Sequence, residues 1–110
     1  MIEKKKLFLA GGSGLLALNW ALHCHETWDV CLGIHNRIIS PTFASKMSIL
    51  YQSFDELKNI LSDANPDLVV NAAALTNIEY CQLNPGFAYL ANVVFAEHIA
   101  SACNYLQIPL

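Results

Sequence analysis

The four-residue apolar run Leu7-Phe8-Leu9-Ala10 is stopped by Gly11, Gly12, Ser13 and Gly14 and followed by the proline-free stretch Leu15 to Cys24. No other feature constrains the fold as much. A short continuous apolar run suits a strand covered on both faces, which is the habit of parallel sheets. Leu15 to Cys24 has helix-forming composition, so the glycines sit at a strand-to-helix turn. A competing reading makes the run the apolar centre of a secretion signal behind Lys4, Lys5 and Lys6. Gly11, Gly12 and Gly14 would weaken a helical signal core, and the stretch runs into Leu22-His23-Cys24-His25-Glu26, where only Ala21 offers a small residue for cleavage. The turn is the better explanation, and the lysines then solvate the start of the first strand.

The rest of the chain repeats the alternation. Val30-Cys31-Leu32-Gly33-Ile34 reads as a second strand closed by His35-Asn36-Arg37. Pro41 marks a loop, and Met47 to Tyr51 is the candidate third strand. Ser53 and Glu56 have capping-box spacing, after which Phe54, Leu57, Ile60 and Leu61 mark one helical face. Asn65-Pro66 stops that helix, because the residue before a proline is pushed out of the α region. Leu68-Val69-Val70 is a further buried strand running into Asn71-Ala72-Ala73-Ala74. Thr76 and Glu79 repeat the capping-box spacing before a short helix. Asn84 is the expected cap, and Pro85 the first residue, of a longer helix whose apolar face is Phe87, Leu90, Ala91, Val94, Phe95, His98, Ile99 and Ala102. Ile108-Pro109-Leu110 has the look of a strand beginning. Strands alternating with helices, with continuous apolar runs, imply an α/β parallel sheet with helices on both faces.

A chain of 110 residues that is 55% apolar supports one domain or less with a buried core. A net charge of −3 and a pI near 5.7 leave no electrostatic footprint for nucleic acid. No stretch has the uninterrupted apolar length of a membrane span. Cys24, Cys31, Cys81 and Cys103 have no CxxC spacing and apolar neighbours, so they read as buried thiols of a reduced, cytoplasmic compartment. His23-Cys24-His25-Glu26 gathers metal-capable side chains, yet on a helix His23 and His25 point apart. A helix end with histidine near its carbonyl pole explains them with less, and no metal is expected. Cys81 and His98 fall on helical faces that read as core, not as a nucleophile and base.

At a strand-to-helix turn the first helical amides have no partner within the helix, and the macrodipole adds partial positive charge. A diphosphate satisfies both, provided that small residues let it approach the unpaired amides between Gly11 and Leu16. Gly11, Gly14 and Ala17 are spaced GxxGxxA: Gly11 for a tight turn, Gly14 to admit the phosphate, Ala17 to let the helix pack on the sheet. Such turns also occur with no ligand, so the glycines alone leave both readings open.

Three stretches taken together are more specific. Gly11 to Ala17 (GGSGLLA), Pro66 to Thr76 (PDLVVNAAALT) and Asn84 to Ala102 (NPGFAYLANVVFAEHIASA) resemble the first half of the extended short-chain dehydrogenases/reductases. Within these, the chain is most similar to the dTDP-4-dehydrorhamnose reductase group. The resemblance covers nearly the whole chain and implies a Rossmann-type domain over residues 1–110, ending after about four strands. It also implies a nicotinamide cofactor and, in the parent protein, reduction of a keto group on a nucleotide-linked deoxysugar. By the same resemblance Gly11, Gly12, Ser13, Gly14, Leu15 and Leu16 meet the pyrophosphate, while Ala72, Ala73, Ala74 and Leu75 lie along the ribose and nicotinamide side. Thr76 falls towards the substrate, and Asn92 matches an asparagine that steadies the loop backbone from the neighbouring helix.

The chain departs from the family pattern in two places. His35-Asn36-Arg37 stands where an acidic residue would hold the adenosine ribose, which favours NADP over NAD, with Arg37 meeting the 2′-phosphate. Leu50-Tyr51 replaces an aspartate beside the adenine. The Tyr-x-x-x-Lys pair that protonates the product oxygen in the family would lie beyond Leu110, and none of Tyr51, Tyr80, Tyr89 and Tyr105 has a lysine four positions on. The chain is therefore expected to hold cofactor and not to catalyse, either as the amino-terminal portion of a nucleotide-sugar reductase or as a non-catalytic binding or regulatory relative. A small α/β interaction domain without nucleotide is the third reading. A partial sheet leaves an edge and apolar helix faces bare, so the isolated chain is expected to be marginally stable or to pair with another copy or segment.

Overall fold

The computed structural model describes residues 3–11, 14–34, 42–49 and 53–110. In chain order the elements are β1 (Lys5–Ala10), α1 (Leu15–Cys24), β2 (Trp28–Ile34), β3 (Ser45–Ser48), α2 (Phe54–Ala64), β4 (Leu68–Asn71) and α3 (Ile78–Leu83). A last long helix follows, built from α4 (Pro85–Tyr89), a π-turn (Leu90–Val94) and α5 (Phe95–Leu106). The strands form one parallel sheet in the order β3-β2-β1-β4, the arrangement expected of a Rossmann-type α/β fold.

β1 is the centre of this sheet. It pairs with β2 from Lys5↔Trp28 to Ala10↔Gly33 and with β4 from Leu7↔Leu68 to Ala10↔Asn71, so Ala10, Gly33 and Asn71 end level. Because side chains alternate along a strand, Leu7 and Leu9 enter one cluster with Ala17, Ala21, Val30 and Leu32 under α1. Phe8 and Ala10 enter another, with Leu57, Leu61, Val69, Phe95 and Ile99 under α2 and α5. Helices thus cover both faces, which is why β1 is apolar at every central position. Burying Leu7, Phe8 and Leu9 stabilises by about 1.5–3 kcal/mol each, and Leu9→Ala would cost about 2–5 kcal/mol.

Local chemistry sets the element ends. The Ser53 hydroxyl accepts from the Glu56 amide at 3.4 Å and donates to the Glu56 carboxylate at 3.2 Å, so Ser53 caps the start of α2 and Glu56 reaches back to its hydroxyl. At its other end Asn65 takes a left-handed conformation, φ 48°, and its amide donates to the Leu61 carbonyl at 2.8 Å. Asp67 then fixes the register of β4 on β1: its carboxylate accepts from the Lys6 amide at 2.7 Å and its own amide donates to the Lys6 carbonyl at 2.8 Å.

Several expectations are corrected. The third strand is Ser45–Ser48, earlier than Met47 to Tyr51, and of those later residues Leu50 and Tyr51 lie outside the described residues. The cap of α3 is Asn77 and not Thr76, because the Asn77 side chain reaches the Tyr80 amide at 2.9 Å. Asn84 stands at the N-cap of α4 with Pro85 first in the helix, as expected, but its side chain makes no capping bond there; its side-chain amide donates to the Tyr80 carbonyl at 3.1 Å and so closes α3. Of the long helix's expected face, Ala91, Phe95, Ile99 and Ala102 are buried, joined by Cys103, whereas Phe87 is 39% exposed. Only Cys103 among the cysteines is fully buried; Cys24, Cys31 and Cys81 are half-buried and all four are free. The Val69 amide donates to the Pro109 carbonyl at 2.9 Å, which places the segment from Ile108 to Leu110 alongside β4. Large apolar residues remain exposed on α1 and α3, among them Leu15, Ile78 and Leu83 at 80%, 75% and 81%.

Candidate functional site: a crevice at the ends of β1 and β4

From β1 the chain steps outward to β2 and β3, then crosses back to place β4 on the other side of β1. The strand order therefore reverses between β1 and β4. In open α/β sheets the crevice beyond the carboxyl ends of the strands at such a reversal is where ligands bind. Gly11 stands there, directly after β1.

Gly11 has φ +79°, a conformation that a side chain disfavours. A Cβ on it would lie 2.7 Å from the Ala73 nitrogen and 2.8 Å from the Ala72 carbonyl carbon and oxygen. The turn after β1 thus touches the loop after β4 backbone to backbone, and only glycine permits it. Two of the amides expected to be free are used internally: Gly11 donates to the Gly33 carbonyl at 3.1 Å and Gly14 to the Gly11 carbonyl at 2.9 Å. Gly14 is the N-cap of α1 and supplies no side-chain cap. The first helical hydrogen bond is from the Leu18 amide to the Gly14 carbonyl, at 3.0 Å. The amides of Leu15, Leu16 and Ala17 precede it. The Leu15 and Leu16 side chains are 80% and 65% exposed, while Ala17 is buried against β1 and β2. Gly11 makes the tight turn and Ala17 packs closely on the sheet, while a Cβ on Gly14 would lie 3.2 Å from the Gly11 carbonyl oxygen.

The facing loop, residues 72–77, is held at both ends. Near β4 the Ala72 amide donates to the Ala10 carbonyl at 2.9 Å and the Ala73 amide to the Asn71 side chain at 3.1 Å. Further along, the Asn92 side chain accepts from the Leu75 amide at 2.8 Å and donates to the Leu75 carbonyl at 3.1 Å. Asn92 belongs to the π-turn and does what the resemblance implied of it. The Leu75 main chain is consequently occupied within the protein, and its side chain is what it has left to offer a ligand.

Of the residues singled out from sequence, Gly11, Gly14, Leu15, Leu16, Ala72, Ala73, Ala74 and Leu75 lie on the turn and loop that meet at this crevice. Gly12, Ser13, His35, Asn36, Arg37, Leu50 and Tyr51 lie outside the described residues. β2 ends at Ile34, immediately after the Gly33 carbonyl that accepts from Gly11. Sequence reasoning missed three contributors. Asn71 makes the turn after β4, for which its residue type was a signal. Gly33 anchors the glycine turn through its carbonyl. Cys81 donates its thiol to the Leu75 carbonyl at 3.7 Å, and nothing in the sequence pattern marks it.

Burial raises the thiol pKa of Cys24 and Cys31, and that of Cys103 to about 11; these three lie in α1, β2 and α5, away from the crevice. Among the described residues no group of three or more histidine, cysteine or acidic side chains is placed to hold a metal, and His23, Cys24, His25 and Glu26 do not converge. No helix among the described residues is long and apolar enough to cross a membrane.

Residues 5–110 match the family described as the RmlD substrate binding domain. The chain belongs to that family. It is similar to a probable low-salt glycan biosynthesis reductase of Haloferax volcanii, 26% identical over 103 residues, a match covering 93% of this chain and 34% of the relative. A hypothetical dTDP-4-dehydrorhamnose reductase from Sulfolobus tokodaii superposes with a TM-score of 0.83 at 22% identity, over 94% of this chain and 36% of that one. The dTDP-4-dehydrorhamnose reductase of Bacillus anthracis, solved in complex with NADP, gives 0.76 at 14% identity, over 98% and 35%. A UDP-glucose 4-epimerase of Thermus thermophilus, in complex with NAD, gives 0.81 at 13%, over 94% and 35%. These structures share the fold with the RmlD-family chain, which spans about a third of the length of the relatives it matches.

Proposed function

We propose that residues 1–110 are the dinucleotide-binding domain of an oxidoreductase that reduces a keto group on a nucleotide-linked deoxysugar, with NADP(H) as cofactor. One observation carries the reading: at the point of strand reversal, Gly11 brings the turn against Ala72 and Ala73, and the amides of Leu15 and Leu16 precede the first helical hydrogen bond with no side-chain cap before them. Main-chain donors at a helix start without a side-chain cap fit a diphosphate. The diphosphate sits on Gly12, Ser13, Gly14, Leu15 and Leu16, and Ala72 to Leu75 wall the ribose and nicotinamide side. By the family resemblance, His35, Asn36 and Arg37 serve the adenosine ribose, with Arg37 pairing the 2′-phosphate, and Leu50 and Tyr51 stand for the residues that contact the adenine. The lack of a carboxylate at residues 35–37 supports NADP, as does the NADP complex of the Bacillus anthracis reductase; the NAD complex of the epimerase keeps NAD as the alternative.

When bound, the nicotinamide supplies hydride chemistry. What these residues do is bind the cofactor and orient it, since the Tyr-x-x-x-Lys pair is not among them. A Tyr-x-x-x-Lys pair beyond residue 110 would support the reductase over a second reading, a non-catalytic binding or regulatory protein of the same family. Four unpaired thiols support a reduced, cytoplasmic setting. The exposed apolar residues of α1 and α3 support pairing with another copy or segment, a reading that a strict monomer unfolding in one sharp step would overturn.

The test is a titration of the chain with NADPH and with NADH, followed by nicotinamide fluorescence and calorimetry. Saturable binding, tighter for NADPH, is the expected result. A folded protein that leaves the fluorescence of both unchanged removes the cofactor reading.

A further inference from the structure

Leu75 is the far anchor of the loop that walls the crevice, and its peptide groups are held from two elements. Asn92 in the π-turn takes the amide and shares the carbonyl, at 2.8 and 3.1 Å. The second donor to that carbonyl is the thiol of Cys81, at 3.7 Å, from α3. α3 has no fully buried residue of its own, and the half-buried Cys81 is its side-chain link to the loop. Other bonds of α3 among the described residues are the Asn77 cap, the bond from Asn84 to the Tyr80 carbonyl and the edge-on meeting of the Tyr80 and Phe87 rings. None of these reaches Ala72 to Leu75. Asn92 ties Leu75 to the long helix. Adding Cys81 closes a triangle of loop, α3 and π-turn.

We propose that Cys81 is a positioning residue of the crevice, acting through the Leu75 carbonyl to hold Ala73 and Ala74 in line with the nicotinamide half of a dinucleotide. The inference rests on the cofactor reading above. It predicts a selective defect: losing the thiol loosens the wall that faces the nicotinamide and leaves the glycine turn at the diphosphate untouched. Serine keeps a donor at this position, whereas alanine and valine have none.

The experiment titrates wild type, Cys81→Ala, Cys81→Val and Cys81→Ser with NADPH and, in parallel, with adenosine 2′,5′-bisphosphate, which lacks the nicotinamide half. Valine fills the thiol's volume and serves where alanine does not fold. The expected result is NADPH binding weaker by about two- to fivefold in the alanine and valine variants, the scale of one weak hydrogen bond. Adenosine bisphosphate binding stays at the wild-type value, and serine recovers most of the NADPH affinity. Unchanged NADPH affinity in both donor-less variants overturns the proposal, and so does an equal loss of both ligands, which marks a general structural role. A wild type that binds neither ligand overturns the cofactor reading and this inference with it, an outcome distinct from the other two.

Discussion

Gly11→Ala is the sharpest perturbation the structure offers. At φ +79° an L-residue is disfavoured by about 1–2 kcal/mol before any neighbour is considered. The new Cβ would then sit 2.7–2.8 Å from the backbone of Ala72 and Ala73, where ordinary contacts begin at 3.4 Å. Relief requires the loop to withdraw by roughly 0.6 Å in a close-packed setting. The loop is tied by the Ala72 bond to Ala10, the Ala73 bond to Asn71 and the pair of bonds from Asn92 to Leu75. Overpacking against atoms so held costs about 1–3 kcal/mol, for a total near 2–5 kcal/mol out of the 5–15 typical of a domain. At about 4–8 °C per kcal/mol the melting temperature falls by about 10 °C or more. Gly86 is the internal control. In α4 an added Cβ meets nothing within 4 Å, and Gly86→Ala stabilises by about 0.5–1 kcal/mol. Thermal and urea unfolding followed by far-ultraviolet circular dichroism measure both. If Gly11→Ala melts within about 2 °C of the wild type, the turn and the loop do not touch as described.

The caps of α3 separate in the same way: Asn77→Ala costs about 1 kcal/mol in urea unfolding, while Thr76→Ala, exposed and not the cap, costs a few tenths at most. Cys103 gives a pH signature. Burial lifts its pKa from 9.0 to about 11, so its contribution is full below pH 9 and is lost as pH rises towards 11, where the unfolded chain releases a proton that the native protein keeps. Urea midpoints from pH 8 to 10.5 therefore fall more steeply for wild type than for Cys103→Ala, by up to about 1.4 kcal/mol per pH unit; parallel curves contradict the assignment. Arg37→Ala weakens NADPH about tenfold by calorimetry and leaves NADH alone, and an equal effect on both refutes the 2′-phosphate role.

Where burial dictates residue type, the sequence was a sufficient guide. β1, α1 and β4 were legible because both faces of the sheet are covered and glycine or proline punctuates one end of each. β3 was misplaced for the opposite reason. It is an edge strand, Ser45 to Ser48, with three of its four side chains exposed, so no apolar pattern is required of it; only Ile49, just past its end, is buried. The cap of α3 could not be chosen by spacing, since Thr76 and Asn77 both precede the helix and both accept hydrogen bonds. The π-turn has no glycine or proline to announce it. One extra residue in a turn rotates the helix phase by about 100°, which is why the face drawn through Phe87 holds from Ala91 onward and fails before it.

The wall of the crevice, from Gly11 to Ala17 and from Ala72 to Leu75, has no charged side chain among its described residues, and this follows from how it is made. Leu15 and Leu16 offer main-chain amides, and Gly11, Gly14, Ala17, Ala72, Ala73 and Ala74 contribute chiefly by being small. Such a site constrains the sequence only to keep side chains out of the way at a few positions while the sheet holds the strand ends level, as Ala10, Gly33 and Asn71 are held. Side chains elsewhere are then free to change. Identity near 13–22% can coexist with TM-scores of 0.76–0.83 for that reason. It also fixes the logic of mutagenesis at this crevice. Truncation to alanine finds little to remove, whereas adding a single methyl at Gly11, or removing the thiol and amide that hold Leu75, moves the backbone itself.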